Sequence, residues 1–244
     1  MFKIDEHTYK TVKAKEVVLP DDYPFFFKGK IKRFFCKIVT CSAWILTKII
    51  GIHYGFRIKN KKNLKKGGGI IIANHIHPMD AFFTTTSFMS KKIWITSLQS
   101  NLGLPFGWGR YIRLAAMVPI PDKITQLKSF RDQLVQSLDR GEYVNIYPEA
   151  VLMPFCDHIR EFKKGAFTFA MLSDKPIYPI VYTFRKRKGI RKLFGKKPLI
   201  TLNVLPAYNV IKKESKNETL LTAMNDLNKI MSDFFNTNSE IKKD

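Results

Sequence analysis

The amino-acid sequence predicts an α/β domain, and three observations support that prediction. The length of 244 residues suits one large domain. An apolar share of 45% is enough for a hydrophobic core and argues against wholesale disorder. Short apolar runs alternate along the chain with stretches of helical periodicity, and alternating strands and helices are typical of the α/β class.

The first part of the chain is predicted to be an arm followed by a helical segment. Residues 1–24 are expected to be extended, with a turn at 20–24. Residues 25–52 mix aromatic and aliphatic side chains with lysines, which suits a helix lying in the plane of a membrane interface. A helix packed on the core, with its lysines solvated, is the alternative. The uninterrupted apolar part, 38–47, is shorter than the roughly 20 residues of a spanning helix, so no membrane-spanning segment is expected.

The remaining elements follow from the spacing of apolar residues. Strands are predicted at 69–73, 93–97, 143–147, 176–184 and 199–205. Helices are predicted from Pro78, at 126–140, at 162–173 and from about 216 to 235. Gly141, directly after the second of these helices, is a typical helix-ending residue.

The charge balance is strongly positive. The chain has 42 Lys and Arg against 20 Asp and Glu, a net charge of +22, which attracts nucleic acid, an anionic membrane surface or phosphorylated substrates. Eight basic residues fall within 185–198, between two predicted strands, where an exposed hairpin is expected. This run is either a solvated loop or a contact for anionic lipid or nucleic acid. Nucleic acid is disfavoured, because the aromatic residues cluster near the N-terminus and form no stacking surface within the run.

The chain contains three cysteines, Cys36, Cys41 and Cys156. An odd number of cysteines predicts no disulfide framework, and no Cys or His spacing suits a metal ion. We therefore interpret the cysteines as reduced thiols in a cytosolic setting.

A histidine and an aspartate follow the first of these strands at a spacing that suits general-base catalysis. His75 and Asp80 can meet if His75 lies in the turn before a helix and Asp80 in its first turn, with Pro78 opening that turn. A carboxylate there fixes the tautomer of the imidazole and stabilises its cation, so His75 is a candidate base for an alcohol. Alternatively, His75 caps local structure and Asp80 is an ordinary first-turn acid near the helix dipole. His77 has no comparable partner and is expected to be a bystander.

Two further clusters follow the strand at 143–147. Glu149 comes directly after that strand and a proline, where it can bind a substrate hydroxyl, order the site or simply be a solvated loop acid. Arg160, Lys163, Lys164 and Gly165 stand at a predicted helix start. Cations and backbone donors at such a position can hold a phosphate group.

Taken together and in this order, these segments resemble the glycerolipid acyltransferase family, typified by lysophosphatidic acid acyltransferases. Asn74, His75 and Asp80 match the Asn-His-x4-Asp block of that family. Four further segments match in order: 107–121 the second block, 147–149 the start of the Phe-Pro-Glu-Gly-Thr-Arg block, 162–167 the Phe-Lys-x-Gly segment, and 175–181 the proline-containing strand. The resemblance covers about residues 50 to 210, and ordered blocks are far more specific than any single one.

The resemblance implies a single α/β domain at 56–244 with a mixed, mostly parallel sheet flanked by helices, preceded at 1–55 by an arm and amphipathic membrane-interface helices. It implies acyl transfer from acyl-CoA or acyl carrier protein to the hydroxyl of a lysophospholipid, with 1-acylglycerol 3-phosphate as the expected acceptor and phosphatidic acid as the product. No metal or cofactor is implied. The expected location is the cytoplasmic face of an anionic membrane, as a peripheral or monotopic protein.

The resemblance also implies roles for particular residues. His75 and Asp80 are the expected catalytic pair. The expected substrate-binding residues are Asn74, Glu149, Arg160, Lys163, Lys164 and Gly165.

The sequence departs from the family pattern after Glu149. The residues Ala150, Val151 and Leu152 replace Gly-Thr-Arg, so an arginine thought to bind the acceptor phosphate is missing. The second block also lacks its usual final arginine. Acyl transfer to a different acceptor therefore stays open, as does a basic nucleic-acid-binding or membrane-binding protein without catalysis.

Overall fold

A computed structural model describes residues 14–242 of the chain. The helices and strands in chain order are α1 (Lys30–His53), β1 (Arg57–Lys59), β2 (Gly69–Ala73), α2 (Asp80–Ser87), β3 (Ile93–Leu98), α3 (Trp108–Leu114), β4 (Met117–Ile120), α4 (Ile124–Asp139), β5 (Tyr143–Ile146), α5 (Gly165–Ser173), β6 (Ile177–Arg185), β7 (Leu199–Val204) and α6 (Lys216–Asn238). Short 3-10 helices lie at Lys61–Asn63, Gln99–Gly103 and Gly189–Phe194.

The strands form one sheet in the order β1-β7-β6-β2-β5-β3-β4. Strands β6, β2, β5, β3 and β4 are mutually parallel, whereas β7 runs antiparallel to β6 and is parallel to β1. Every residue of β2 and β5 is buried, as expected for central parallel strands covered by helices on both faces. The predicted α/β fold with a mixed, mostly parallel sheet is therefore confirmed.

The helices pack in two groups. Helix α1 contacts α2 and α3, and α5 contacts α4 and α6. In α4 the buried residues Phe130, Leu134 and Leu138 recur every four residues, which places them on one face. Gly141 follows with a φ of +77°, the left-handed conformation that ends many helices.

Two helices begin later than the sequence predicts, and three elements were not predicted. Helix α2 begins at Asp80 because Pro78 and Met79 form a turn before it, and α5 begins at Gly165. The elements without a prediction are β1, β4 and α3. Each is too short for apolar periodicity to reveal it.

Three consecutive phenylalanines before α1 lie in the core. The rings of Phe26 and Phe27 contact Trp94, and that of Phe25 contacts Phe130. The buried guanidinium of Arg113 donates to the carbonyls of the two residues at 24 and 25 over 2.6 and 2.9 Å. These phenylalanines therefore do not belong to the membrane-interface element that the sequence predicts. Residues 1–13 of the predicted arm lie outside the described residues.

Helix α1 presents its large apolar side chains away from the domain. The residues it buries are small: Cys36, Ala43, Thr47 and Gly51. The exposed face carries Ile31, Phe34, Phe35, Ile38, Ile45, Leu46, Ile49 and Ile52. This is the reverse of an ordinary surface helix, which buries its apolar stripe. By length and composition, α1 is also the one helix among residues 14–242 that could cross a membrane. The short uninterrupted apolar part, 38–47, predicts no such helix.

Candidate active site

His75 and Asp80 form a hydrogen-bonded pair at the carboxyl end of β2. His75 lies in the turn after the strand, Asp80 is the first residue of α2, and Nδ1 of His75 is 2.7 Å from Oδ2 of Asp80. The carboxylate is fully buried, whereas the imidazole is 22% exposed. Because Nδ1 donates to the carboxylate, the neutral ring has its free lone pair on Nε2. The arrangement can therefore accept a proton from a bound alcohol.

The same carboxylate also holds the turn that carries the histidine. Oδ2 of Asp80 accepts hydrogen bonds from the backbone N–H groups of Ile76 at 3.0 Å and His77 at 3.3 Å. A carboxylate in the first turn of a helix also interacts favourably with the helix dipole. The two interpretations of Asp80, as imidazole partner and as first-turn acid, are therefore compatible in one geometry.

Tyr147 supports the imidazole from the neighbouring strand. Strand β5 lies beside β2, and the Tyr147 ring at its end stacks on His75 with centroids 4.0 Å apart and planes 17° apart. Burial, together with the nearby charge of Asp80, raises the pKa of the Tyr147 hydroxyl well above its usual value, so this side chain stays neutral. No role for Tyr147 is predicted from the sequence, although this residue opens the block that contains Glu149.

The side chain of Asn74 joins the end of β2 to the neighbouring strand β6. This side chain is buried, donates to the carbonyl of Tyr182 at 3.0 Å and accepts from the N–H of Tyr182 at 2.8 Å. The amide thereby continues the pairing of β2 with β6 beyond the last backbone pair, Ala73 with Ile180. Asn74 fixes the start of the His75 turn through these two bonds, and its expected contact with substrate stays a prediction.

Glu149 and Arg160 form an ion pair behind the histidine, in which the carboxylate is buried and the arginine side chain is 21% exposed. The Glu149 carboxylate accepts from the backbone N–H of His75 at 3.3 Å and from Nη2 of Arg160 at 2.7 Å. Arg160 also donates its backbone N–H and Nε to the same carboxylate, and Nη2 to the carbonyl of Val151. Of the alternatives considered for Glu149, this geometry favours ordering of the site. The Arg160 guanidinium is engaged within the protein.

Lys163, Lys164 and Gly165 are exposed at the start of α5. The backbone N–H of Lys163 donates to the carbonyl of Pro148 at 2.7 Å, which holds this segment beside the strand end that carries Glu149. Within residues 14–242, neither lysine forms an ion pair with a carboxylate; Lys164 lies 3.4 Å from the amide oxygen of Asn217. Both ammonium groups are therefore accessible to a ligand.

His77 takes no part in the pair formed by His75 and Asp80. Its ring is buried, its Nδ1 accepts from the N–H of Met79 at 3.1 Å, and it packs edge-on against Tyr54. Burial lowers the pKa of His77 to about 4, so the ring is neutral at physiological pH. Its role is to close the turn.

Cys156, Asp157 and His158 bring one potential ligand atom each to within 4.8 Å of one another. The sequence predicts no metal site here. Burial raises the pKa of the Cys156 thiol, and a protonated thiol is a poor metal ligand.

A large groove lies elsewhere in the structure. It has a volume of about 1250 Å³ and is lined by the segment before α1, the start of α1 and one side of α4. None of the candidate site residues lines it. The candidate active site lies instead at the carboxyl ends of β2 and β5, the usual location of ligand sites in open α/β sheets.

The comparisons with known proteins agree with this geometry. The Acyltransferase family model matches residues 55–183, more than half of the chain, and no curated protein matches. The crystal structure of the 1-acyl-sn-glycerophosphate (LPA) acyltransferase PlsC from Thermotoga maritima is similar, with a TM-score of 0.58 and 17% sequence identity over 88% of this chain and 86% of that chain. At this identity the similarity shows a common fold. Together with the motifs, the family match confirms the predicted resemblance: the chain belongs to the Acyltransferase family.

Proposed function

We propose that the chain transfers a fatty acyl group from a thioester donor, acyl-CoA or acyl carrier protein, to the hydroxyl of a lysophospholipid. The proposed acceptor is 1-acylglycerol 3-phosphate and the product phosphatidic acid. The observation that carries this proposal is the 2.7 Å contact between a buried Asp80 carboxylate and a solvent-accessible His75. The family match supports acyl transfer, and the neighbouring structure suggests the acceptor class.

The proposed reaction needs no nucleophile from the protein. Nε2 of His75 takes the proton of the acceptor hydroxyl as its oxygen attacks the thioester carbonyl, while Asp80 stabilises the imidazolium that forms. When the tetrahedral intermediate collapses, the carbon–sulfur bond breaks and the imidazolium returns the proton to the leaving thiolate. An ester and a free thiol result, and His75 is neutral again.

The acceptor phosphate is proposed to bind Lys163 and Lys164. The family arginine is replaced within 150–152, and the Arg160 guanidinium is already paired with Glu149. The two lysines are exposed beside the strand end that carries Glu149. Ammonium groups bind phosphate as point charges without the bidentate geometry of arginine. Looser acceptor selectivity is therefore expected, and a lysophospholipid other than lysophosphatidic acid is the alternative acceptor.

The outward face of α1 is proposed to lie in the membrane interface on the cytoplasmic side. Lys30, Lys32, Lys37 and Lys48 flank the exposed apolar face, which suits a helix whose lysines extend to the headgroups. Both ends of α1 are attached to the domain, since Arg33 pairs with the buried Glu142 at 2.9 Å and Tyr54 lies in the core. A helix attached at both ends and packed on α2 and α3 favours a monotopic over a spanning arrangement.

Acyl transfer from labelled acyl-CoA to a panel of lysophospholipids tests the reaction. We expect His75→Ala to lower the rate by at least about 100-fold, within the roughly 10²–10⁴ attributable to a positioned base. Asp80→Asn removes the charge that stabilises the imidazolium, so a large loss is expected there too. Lys163→Gln with Lys164→Gln should instead raise KM for phosphate-bearing acceptors. Transfer that survives His75→Ala contradicts the mechanism, and an inactive wild type with every acceptor indicates a non-catalytic membrane-binding protein.

A further inference from the structure

The connection between β6 and β7, residues 186–198, is a basic hairpin with an apolar tip. It contains seven Lys and Arg and no acidic residue. At its centre, in the 3-10 helix Gly189–Phe194, Ile190, Leu193 and Phe194 are 73%, 83% and 61% exposed. Residues three apart share a face of a 3-10 helix, so Ile190 and Leu193 point the same way. Large apolar side chains exposed together mark an interaction surface.

The hairpin projects beyond the candidate active site. Strand β6 is parallel to β2, and their last backbone pair is Ala73 with Ile180. From there β6 continues for five more residues to Arg185, a rise of about 16 Å at the usual spacing of a strand. Asn74 continues the pairing through its side chain, and His75 follows it in the turn. The tip of the hairpin therefore stands above the sheet edge that carries His75.

A buried arginine fixes the hairpin beside the end of α1. The guanidinium of Arg187 donates to the carbonyl of Lys197 at 2.6 Å, to that of Arg191 at 3.3 Å and to that of His53, the last residue of α1, at 2.9 Å. Ile49 and Ile52 in the final turn of α1 are exposed. The apolar tip of the hairpin is therefore held close to the apolar outward face of α1.

We propose that this hairpin is a second membrane-contacting element, whose partner is a bilayer rich in anionic phospholipid. Its apolar tip enters the headgroup region and its lysines interact with anionic headgroups. Charge complementarity supports this partner, since each Lys or Arg near an anionic bilayer is favourable. The hairpin is also attached to the last residue of α1 through Arg187. Its single aromatic residue, Phe194, offers no series of stacking positions for a nucleic-acid strand. The inference rests on the proposed function, since contact of the hairpin with the bilayer would turn the sheet edge that carries His75 toward the lipid that supplies the acceptor.

Vesicle binding by the full chain tests the apolar tip. Vesicles of phosphatidylcholine alone are compared with vesicles that contain about one-third phosphatidylglycerol. For the triple variant Ile190→Ser, Leu193→Ser and Phe194→Ser we expect affinity for the anionic vesicles to fall at least about tenfold, because three apolar side chains lose their place in the interface. A matched control variant changes three exposed aliphatic residues away from the hairpin: Leu172→Ser, Ile211→Ser and Ile230→Ser. It is expected to bind the anionic vesicles with an affinity within about twofold of wild type.

The variant Lys188→Gln, Lys192→Gln and Lys196→Gln tests the charges. We expect it to lose at least about tenfold in affinity for anionic vesicles and to approach the affinity for neutral ones. Arg187 is left unchanged, so the hairpin stays attached to α1. Binding of both variants like wild type would overturn the proposal. Selective loss of oligonucleotide binding by the lysine variant would assign the hairpin to nucleic acid instead.

Acyl transfer to a water-soluble short-chain lysophospholipid separates this proposal from the proposed function. The hairpin variants leave His75 and Asp80 unchanged, so their rates with the soluble acceptor should stay within about twofold of wild type. A large loss with the soluble acceptor would place the hairpin in the catalytic site and overturn a role confined to the membrane. Absence of transfer in the wild type, with normal hairpin-dependent vesicle binding, would reject the proposed function alone.

Discussion

Ala150 occupies a backbone conformation that suits glycine. Its φ is +64°, and it stands directly after Glu149, where the family pattern has glycine. A side chain in the left-handed region costs about 1–2 kcal/mol, partly offset because glycine loses more backbone entropy on folding. We expect Ala150→Gly to raise the free energy of unfolding by up to about 1 kcal/mol in urea titrations. Ala170→Gly, within α5, is the control and should lower the free energy of unfolding. If both variants lowered this free energy equally, the backbone of Ala150 would not be strained.

The pKa of His77 predicts a pH dependence of stability. Burial lowers this pKa to about 4 in the folded protein, against roughly 6.5 in an unfolded chain. Between these values the unfolded state binds more protons, so the free energy of unfolding rises with pH from about 4 to 6.5. His77→Asn keeps an acceptor for the N–H of Met79 and removes the titration.

Urea unfolding of wild type and His77→Asn across this pH range measures the effect. The wild type should lose up to about 3 kcal/mol more than the variant as the pH falls from 6.5 to 4. The other titrating groups are common to both proteins and cancel in the difference. Parallel pH profiles would show that His77 is not held neutral by burial.

The contact between His75 and Asp80 could be predicted from sequence because both lie within one short turn. The partners of Asn74 and Glu149 could not. Asn74 bonds to the backbone of Tyr182, 108 positions away. Glu149 forms an ion pair with Arg160, whose guanidinium the sequence predicts as a phosphate ligand. A motif identifies residue types and spacing, but the hydrogen-bond partner that decides between a substrate contact and a structural one is set by the tertiary fold.

At the scale of elements, substitutions on the two faces of α1 are expected to have different effects on stability and on vesicle binding. Ala43 faces the domain, where a larger side chain overpacks, so Ala43→Leu should lower the free energy of unfolding by about 1–3 kcal/mol. Ile45 and Ile49 face outward, so changing both to serine should alter stability by about 0.5 kcal/mol or less each while weakening vesicle binding. Urea unfolding and vesicle sedimentation of the same two proteins measure both effects. Destabilisation by the outward variant would mean that this face packs on protein.

Long, periodic elements could be predicted from sequence, and short ones could not. The predicted strand at 69–73 coincides with β2, and the helix at 126–140 lies within two residues of α4. The sequence predicts the phenylalanines at 25–27 to be part of the same helical segment as α1, because both stretches mix aromatic residues with lysines. Packing against Trp94 and Phe130, far along the chain, separates them from it.

At the scale of the whole molecule, parallel strands bring distant segments to one edge. The carboxyl ends of β2 and β5 place His75 beside Tyr147, and β6 extends the same edge into the basic hairpin. The end of α1 joins them through Arg187. The proposed catalytic residues and the proposed membrane-contacting hairpin therefore lie at the same edge of the sheet.

The N-terminal segment belongs to the folding unit, and this predicts the outcome of truncation. A chain of residues 30–244 keeps every helix and strand found among residues 14–242 but loses Phe25, Phe26 and Phe27, which are nearly or fully buried. Loss of one buried phenylalanine side chain costs about 3–5 kcal/mol. Three together approach the roughly 5–15 kcal/mol that stabilises a typical domain. The truncated chain is therefore expected to lack a cooperative thermal transition by circular dichroism.

Full-length Phe26→Leu is the control for that truncation. It replaces one ring by a smaller apolar side chain and should unfold cooperatively at a lower temperature than wild type. A truncated chain that melts cooperatively near the wild-type temperature would show that residues 14–29 are a dispensable arm. If the prediction holds, any deletion that removes Phe25, Phe26 and Phe27 together with α1 would lose membrane binding through unfolding. Point variants on the outward face of α1 and in the hairpin are then the changes that measure membrane affinity.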